Sequence, residues 1–408
     1  MYSRAQLFRI EGNYAAVQGS YWVSMCILTG FTTVYLQHHG FSDARIGLTS
    51  ALLSIATILF QLFISSYSDR HPAVPLKRVI ALLYVAAMVL SAVMAWIPLA
   101  VGVMMLSYAL AGGLNTAING LLNAQIMQYV NAGIPVQYGW PRGIGSIMYA
   151  LASLVLGILV ERYSPSMLMP LFLILTALAT IVVLLMPDIG RYVSRSPRPF
   201  VQDHSHRQEG YGALLRRSPE FSIFLLSSIL LSVGLAGSGL FLVRVVQRTG
   251  GGGSVLGISM FLQAGLEMPA MFLATRIMKC YHARDILTFS MCIYTVKAIL
   301  LAMANTVAML YLAMLLSFFC FGLYGFSSVY FVDGLVLPGE RVRAQSLNTI
   351  CGSIGAILSS LLSGLVMDAW GLEAMLWLSA LIVALSCALM FLCRHMHLKG
   401  SFDRTPAA

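Results

Sequence analysis

Twelve stretches of this chain are each apolar for about 18 residues or more, the length that carries a helix across a bilayer. They lie near 14–38, 43–68, 78–99, 101–130, 142–161, 165–187, 221–247, 253–278, 286–304, 306–334, 345–368 and 374–394. None alternates with period two, as barrel strands must, so helices are expected rather than strands. Hydrophobic residues make up 59% of the chain and charged residues 10%, with a mean hydropathy of +0.82. A soluble domain averages roughly 45–50% and about 25%, so this chain has too little polar surface to fold in water. The expected fold class is an all-α polytopic membrane protein with twelve transmembrane helices in two pseudo-symmetric six-helix bundles.

The charges give an orientation. An even number of spans puts both termini on one side. With the N-terminus in the cytoplasm, only Arg45, Arg162, Arg244 and Arg248 fall at the outer face, and Arg142 and Lys297 fall at or inside spans. The other nineteen of the twenty-five Lys and Arg are cytoplasmic, the asymmetry of the positive-inside rule. The net charge of +10 and the pI near 9.4 follow from topology and call for no nucleic-acid partner. The expected location is the cytoplasmic (inner) cell membrane, multi-pass, with cytoplasmic termini. The first thirteen residues are polar and the first span is too long for a signal-peptide core, so that span is expected to stay. Residues 188–217, with six Arg and two Pro, read as a basic cytoplasmic linker lying along anionic lipid headgroups. This divides the chain into an N-terminal bundle at 1–187, the linker, a C-terminal bundle at 218–394 and a tail at 395–408.

The halves echo each other. Gly145-Ser146-Ile147 reappears as Gly352-Ser353-Ile354, and at the same offset of 207 Ser153-Leu154 matches Ser360-Leu361 and Gly157 matches Gly364. A weaker echo at offset 210 pairs Ile46-Gly47-Leu48 with Leu256-Gly257-Ile258. A membrane chain repeated once in the same orientation fits two similar bundles around a central site. The seven cysteines and eight histidines show no metal-ligand spacing within spans and no pairing on the oxidising side. Gly250 to Gly253 lack the Gly-Lys-Ser/Thr ending of a phosphate-binding loop. No cofactor, metal or catalytic residue is expected, and no enzyme activity.

Two segments carry a resemblance. Ser65-Ser66-Tyr67-Ser68-Asp69-Arg70, followed by Lys77-Arg78, resembles the Gly-x-x-x-Asp-Arg signature of the major facilitator superfamily, with Ser65 in place of the leading Gly. That resemblance implies a conformational latch at Asp69 and Arg70. Tyr138-Gly139-Trp140-Pro141-Arg142-Gly143-Ile144-Gly145 is similar to a segment of lactose-permease-like symporters and the related phenylpropionate-permease and nucleoside-symporter groups. In the sugar permeases that Arg binds substrate, which implies the role for Arg142. The resemblance also places Glu267 in span eight and Lys297 in span nine. It does not extend to the whole permease pattern. The acidic residue of span four falls on Asn123, the acidic pair of span seven has no counterpart, the His of span ten falls on Ser317, and the Lys of span eleven is absent.

The residues themselves point to some of the same places. Glu267 is the only acid deep in a span and Lys297 the only base near the middle of one. Each costs a few kcal/mol at the bilayer centre, so both should face the bundle interior and pair, either as a structural bridge or as part of an ion or substrate path. Asn115, Asn119 and Asn123 share one helical face, as do Tyr14, Gln18 and Tyr21. Gln263 precedes Glu267 by one turn, and Tyr324 shares a face with Ser328. Such amides, phenols and hydroxyls suit interhelical bonds or a polar solute. The expected protein is a monomeric secondary transporter with partners limited to substrate, proton and lipid. Its proton-coupling residues would be Glu267 and Lys297. Arg142, Asn119, Asn123, Gln18, Tyr21, Gln263 and Tyr324 would bind a sugar, nucleoside or organic acid. The alternatives are a proton-driven exporter of amphipathic compounds and an uncoupled facilitator.

The topology is checked by impermeant thiol labelling of intact cells, in a background without the native cysteines. Gly251→Cys should label and Arg207→Cys should not. Labelling at 207 rejects the orientation.

Overall fold

The computed structural model describes residues 4–71, 74–131, 134–137, 139–186, 211–277, 280–337 and 340–399, with Asp69 and Glu267 described by backbone alone. All regular structure among them is helical, and the described parts of the twelve apolar runs are mainly helix. The helices are α1 (Arg4–Met25), α2 (Thr32–His38), α3 (Asp43–Arg70), α4 (Leu76–Trp96), α5 (Val101–Asn131), α6 (Gly139–Arg162) and α7 (Leu168–Leu185). There follow α8 (Tyr211–Arg217), α9 (Pro219–Leu240), α10 (Leu242–Arg248), α11 (Gly253–Ile277), α12 (Ala283–Met303), α13 (Val307–Leu315), α14 (Ser317–Leu335) and α15 (Arg341–Lys399). Nine described helices are long and apolar enough to cross a membrane, and Gly253–Leu266 is a shorter apolar one. The longest of the nine covers 53 residues. One crossing takes about 20, and Gly371, at φ 82° and ψ −178°, breaks the helix between two arms. Helix continues through 395–399, where the sequence suggests a tail, and Tyr211–Arg217 is helical within the stretch read as linker. Residues 188–210 and 400–408 lie outside the described residues.

Three runs that look continuous in sequence are broken. The first passes from α1 into a π-helical turn, Cys26–Gly30, and resumes as α2 after Phe31. Hydroxyls take up the carbonyls this loosens: Thr29 Oγ1 donates to Met25 O at 2.7 Å, Thr32 Oγ1 to Leu28 O at 2.7 Å, and Tyr108 of α5 to Leu28 O at 3.0 Å. Side-chain bonds of this kind bend helices at little cost. The seventh run breaks at Phe241 and the tenth at Leu316.

From the break onward, the first and seventh runs take the same path, although only the first approaches it through a π-helical turn. Phe31 has φ −108° and ψ 17°, Phe241 has φ −97° and ψ 20°, and each precedes a seven-residue helix. Each helix ends in a turn closed by a left-handed glycine, Gly40 at φ 74° and Gly250 at φ 75°, a backbone only glycine adopts without strain. Both pairs are separated by 210 residues, the offset of the weaker sequence echo. The repeat is thus written in the backbone as well as in the residue types.

The chain forms two compact units, Met1–Pro199 with Leu240–Gly265 and Phe200–Gly239 with Leu266–Ala408. In the first, α5 packs on α3 and α4, α1 on α6 and α7, and α4 on α7. In the second, α12 packs on α14 and α15 around Phe221, Phe224, Leu287, Met291, Val332 and Met390. Large apolar residues such as Leu59, Leu62, Phe63, Leu185 and Leu381 stand exposed on outer faces, which hydrocarbon tolerates and water does not.

Small residues set the closest approaches. In the first unit α6 meets the start of α11 along Ser153, Gly157 and Glu161. A Cβ on Gly157 would run into the carbonyl oxygen of Gly253, and one on Gly257 would lie 2.5 Å from that of Ser153. Ser153 Oγ donates to Gly257 O at 3.2 Å. Glu161 accepts from the Ser254 backbone N–H at 2.6 Å, placing a carboxylate on the positive end of α11. This is small-residue packing of membrane helices, closed by a cap. In the second unit Gly234 and Gly237 of α9 take the same part against Ser359, Ser363, Ser379 and Val383 of α15.

Gly157→Ala and Gly257→Ala should each destabilise by about 1–3 kcal/mol, read as a lower thermal midpoint in detergent. Gly325→Ala, where a Cβ meets nothing within 4 Å, should hold or gain up to about 1 kcal/mol. Equal behaviour of the three would refute the close-packing account.

Candidate functional site

Polar side chains of α1 are linked in sequence through the first unit. Gln18 Nε2 donates to the Tyr14 hydroxyl at 2.6 Å, and Tyr14 reaches Asn123 Oδ1 of α5 at 3.5 Å. Gln18 Oε1 accepts from Trp22 Nε1 at 3.2 Å. The Trp22 ring in turn lies under the Arg142 guanidinium, 4.5 Å from its centroid. Tyr14, Gln18 and Tyr21 are fully buried. The chain runs along one face of α1 because its members recur every four residues. Each buried polar atom needs a partner in apolar surroundings, and the next turn supplies it.

Arg142 is placed by what surrounds it. A Cβ on Gly145, one turn on, would strike the indole of Trp22, so glycine is what lets Trp22 lie flat against α6. Tyr21 and Tyr149 meet the same indole edge-on at 5.4 and 6.0 Å. At the start of α6, Glu11 accepts from the Gln137 backbone N–H at 2.7 Å and from Trp140 Nε1 at 3.1 Å. Phe8 stacks on Trp140 at 6.5 Å. The entry to α6 is therefore tied to α1 by a carboxylate and two aromatic rings.

In the second unit Lys297, only 8% exposed, donates from Nζ to Ser317 Oγ at 2.7 Å. Ser317 opens α14 at the break in the tenth run, and it is the residue that the permease resemblance aligns with a histidine. One turn before Lys297, Tyr294 meets Tyr324 edge-on at 6.2 Å, and the Tyr324 hydroxyl bonds Ser228 at 3.1 Å.

Of the residues singled out by sequence, Arg142, Gln18 and Asn123 are joined through Trp22 and Tyr14. Tyr21 is used differently. Its hydroxyl donates to Met25 Sδ at 3.6 Å while its ring supports Trp22. Asn119 has its carbonyl oxygen buried without a hydrogen-bond partner. Gln263 is half-buried in the part of α11 that belongs to the first unit. Lys297 and Tyr324 both belong to the second unit. The side chains of Glu267 and Asp69 lie outside the described residues, and with them the expected Glu267–Lys297 contact and the Asp69 half of the latch. Arg70 is exposed. Lys77, from the same signature, donates to Met186 O at the C-terminus of α7 at 3.1 Å, where a cation meets the negative end of a helix. Sequence reasoning missed Trp22 and Glu11. Trp22 lies four residues beyond Gln18, so the spacing that selected Tyr14 and Gln18 could have selected it.

The chain matches the description of a known family, the MFS_1 like family, over residues 19–377. A variant of the nucleoside transporter NupG superposes with a TM-score of 0.77 at 18% identity, over 96% of this chain and 99% of that one. NupG itself gives 0.74 at 17%, over 97% and 100%. A bacterial homologue of the human lysosomal transporter Spinster, inward-facing and unoccupied, gives 0.71 at 14% over the full length of both chains. At these identities the likeness is one of fold.

Sequence reasoning also missed an ion pair within the first unit. Arg244 of α10 donates to Asp43 at the head of α3, from Nε to Oδ1 at 3.1 Å and from Nη2 to both oxygens at 2.8 Å. Nearby, Thr33 donates to Leu240 O at 2.5 Å. With Asp43 13% and Arg244 35% exposed, the pair should be worth on the order of 1 kcal/mol. Asp43→Arg and Arg244→Asp should each lower the thermal midpoint, and the double exchange should recover most of the loss. Additive losses would show that the two residues act separately.

Proposed function

Because the chain belongs to the MFS_1 like family of transporters, we propose that it is a proton-coupled secondary transporter that moves a small polar organic solute by alternating access. It is a multi-pass membrane protein and not an enzyme. The observation that carries the solute reading is the part-buried polar chain from Asn123 through Tyr14, Gln18 and Trp22 to Arg142. A chain this apolar keeps such a run inside its helices at a cost of desolvation. A purely structural tie needs fewer groups, and an apolar contact would serve without that cost. Sugars, nucleosides and organic acids all offer the hydroxyls and carbonyls these side chains complement, and NupG, with the same fold, is a nucleoside transporter.

Proton coupling rests on Glu267, the acid deep in span eight, with Lys297 holding its carboxylate ionised when neither proton nor substrate is bound. Lys297 is buried and donates to a hydroxyl at a helix break, which supports a place inside the protein for this charge. Asp69 and Arg70 act as the cytoplasmic latch. Cytoplasmic termini, the inner membrane and a monomeric state complete the reading.

Reconstituted protein decides the coupling. With an imposed proton gradient, uptake of a labelled hexose, nucleoside or hydroxy acid should be uphill. Glu267→Gln should abolish accumulation by at least tenfold, on the order of the rate effects of removing one proton-transfer group, while leaving exchange across the membrane measurable. Full accumulation by well-folded Glu267→Gln protein would remove this residue from the coupling path.

A further inference from the structure

We infer that the solute is a hydroxylated organic anion, whose charged oxygens are received by Arg142 on its Trp22 platform and whose hydroxyl is received by Asn119. The inference rests on the transporter reading and names the class of its cargo. Three observations carry it.

The first is the state of Arg142. The Arg142 guanidinium rests over the Trp22 ring, and among the described residues none of its N–H groups makes a hydrogen bond. Among the described residues, no carboxylate lies within ion-pairing distance of Arg142. Glu11, the acid on the facing helix, has one oxygen on Gln137 and the other on Trp140. A planar guanidinium fork matches a carboxylate or phosphate through two parallel hydrogen bonds, and a lone hydroxyl leaves half of it unused.

The second is charge balance. The sequence sets Lys297 and Glu267 inside spans and Arg142 at the head of one. If Glu267 is assigned wholly to Lys297, the positive charge of Arg142 is still uncompensated. A solute bearing one or two negative charges supplies what the protein lacks, and its charge is held at the guanidinium that rests over Trp22.

The third is Asn119. It lies on α5 one turn from Asn115, which bonds Ser24 of α1 at 3.2 Å, and one turn from Asn123, which bonds Tyr14. It therefore shares the face turned to α1. Its carbonyl oxygen is buried with no hydrogen-bond partner. A buried acceptor left unmade costs about 1–3 kcal/mol, which a hydroxyl donor on the solute would recover. One open fork of donors and one orphaned acceptor, on two helices of the same unit that both pack on α1, describe a ligand that is both anionic and hydroxylated.

The test uses matched pairs on the purified full chain: a hexose against its uronate, and a nucleoside against its 5′-monophosphate. Thermal stabilisation and exchange in proteoliposomes are both read. At least one anion should stabilise and exchange, and its neutral partner should do neither at the same concentration. The uronate arm and the monophosphate arm tell a carboxylate from a phosphate. Arg142→Gln should weaken the response about tenfold or more. Arg142→Lys, which keeps the charge and loses the fork, should lie between. Trp22→Phe should be milder than Trp22→Leu, because a ring still faces the guanidinium. Asn119→Leu should weaken the hydroxylated anion more than its deoxy analogue. Response to the neutral members alone, or an Arg142→Gln protein that keeps full anion affinity, overturns the inference and leaves the transporter reading standing. Silence of all four compounds in both assays overturns the inference and withdraws the polar-solute reading with it.

Discussion

Backbone contact between α6 and α11 at Gly157, Gly253 and Gly257 brings two helices of the first unit together with no side chain between them. Apolar side chains cannot drive helices together in hydrocarbon, because lipid solvates them equally well. What remains is close approach, and close approach needs surfaces without side chains. The carbonyl of Gly253 occupies the place a Cβ on Gly157 would take, and Glu161 then lies against the first turn of α11. The same helix, α6, carries Arg142 and Gly145 near its other end. At that end α6 packs on α1, where the bare Gly145 lets Trp22 lie against it.

The fold class was legible because it follows from one constraint. Apolar runs of bilayer length must satisfy their backbone internally, and run length is countable in the sequence. The breaks were not legible. Phe31, Phe241 and Leu316 are apolar residues in apolar runs, and nothing in their identity marks a helix boundary. The repeat could have located two of them, since the 210-residue offset aligns Phe31 with Phe241 and Gly40 with Gly250. The grouping of Leu240–Gly265 with the first unit is not countable in the sequence for a different reason. It rests on tertiary contacts such as Asp43 with Arg244, which join residues 201 apart in the chain.

The candidate site was legible in part. Spacing singled out Gln18, Asn119 and Asn123, and resemblance singled out Arg142, since these are polar groups in places where polarity is costly. Trp22 escaped because indole is mostly apolar, and an aromatic on a membrane helix stands out only once its cation is seen above it. Tyr21 was selected for its hydroxyl, but the structure uses chiefly its ring. A polar atom marks a residue as costly to bury; only geometry tells whether the atom or the surface around it is in use.

The placement of a cation over Trp22 has an optical consequence. The chain has five tryptophans, and of the others Trp96 and Trp370 stand 69% and 74% exposed. An indole excited state redistributes charge across its rings, so its emission energy responds to a charge held 4.5 Å above the plane. Trp22 is therefore a built-in chromophore whose colour follows the electrostatic state of Arg142. Among the tryptophans, it is the one placed to report neutralisation of that guanidinium as a change in the protein's own fluorescence, without a label.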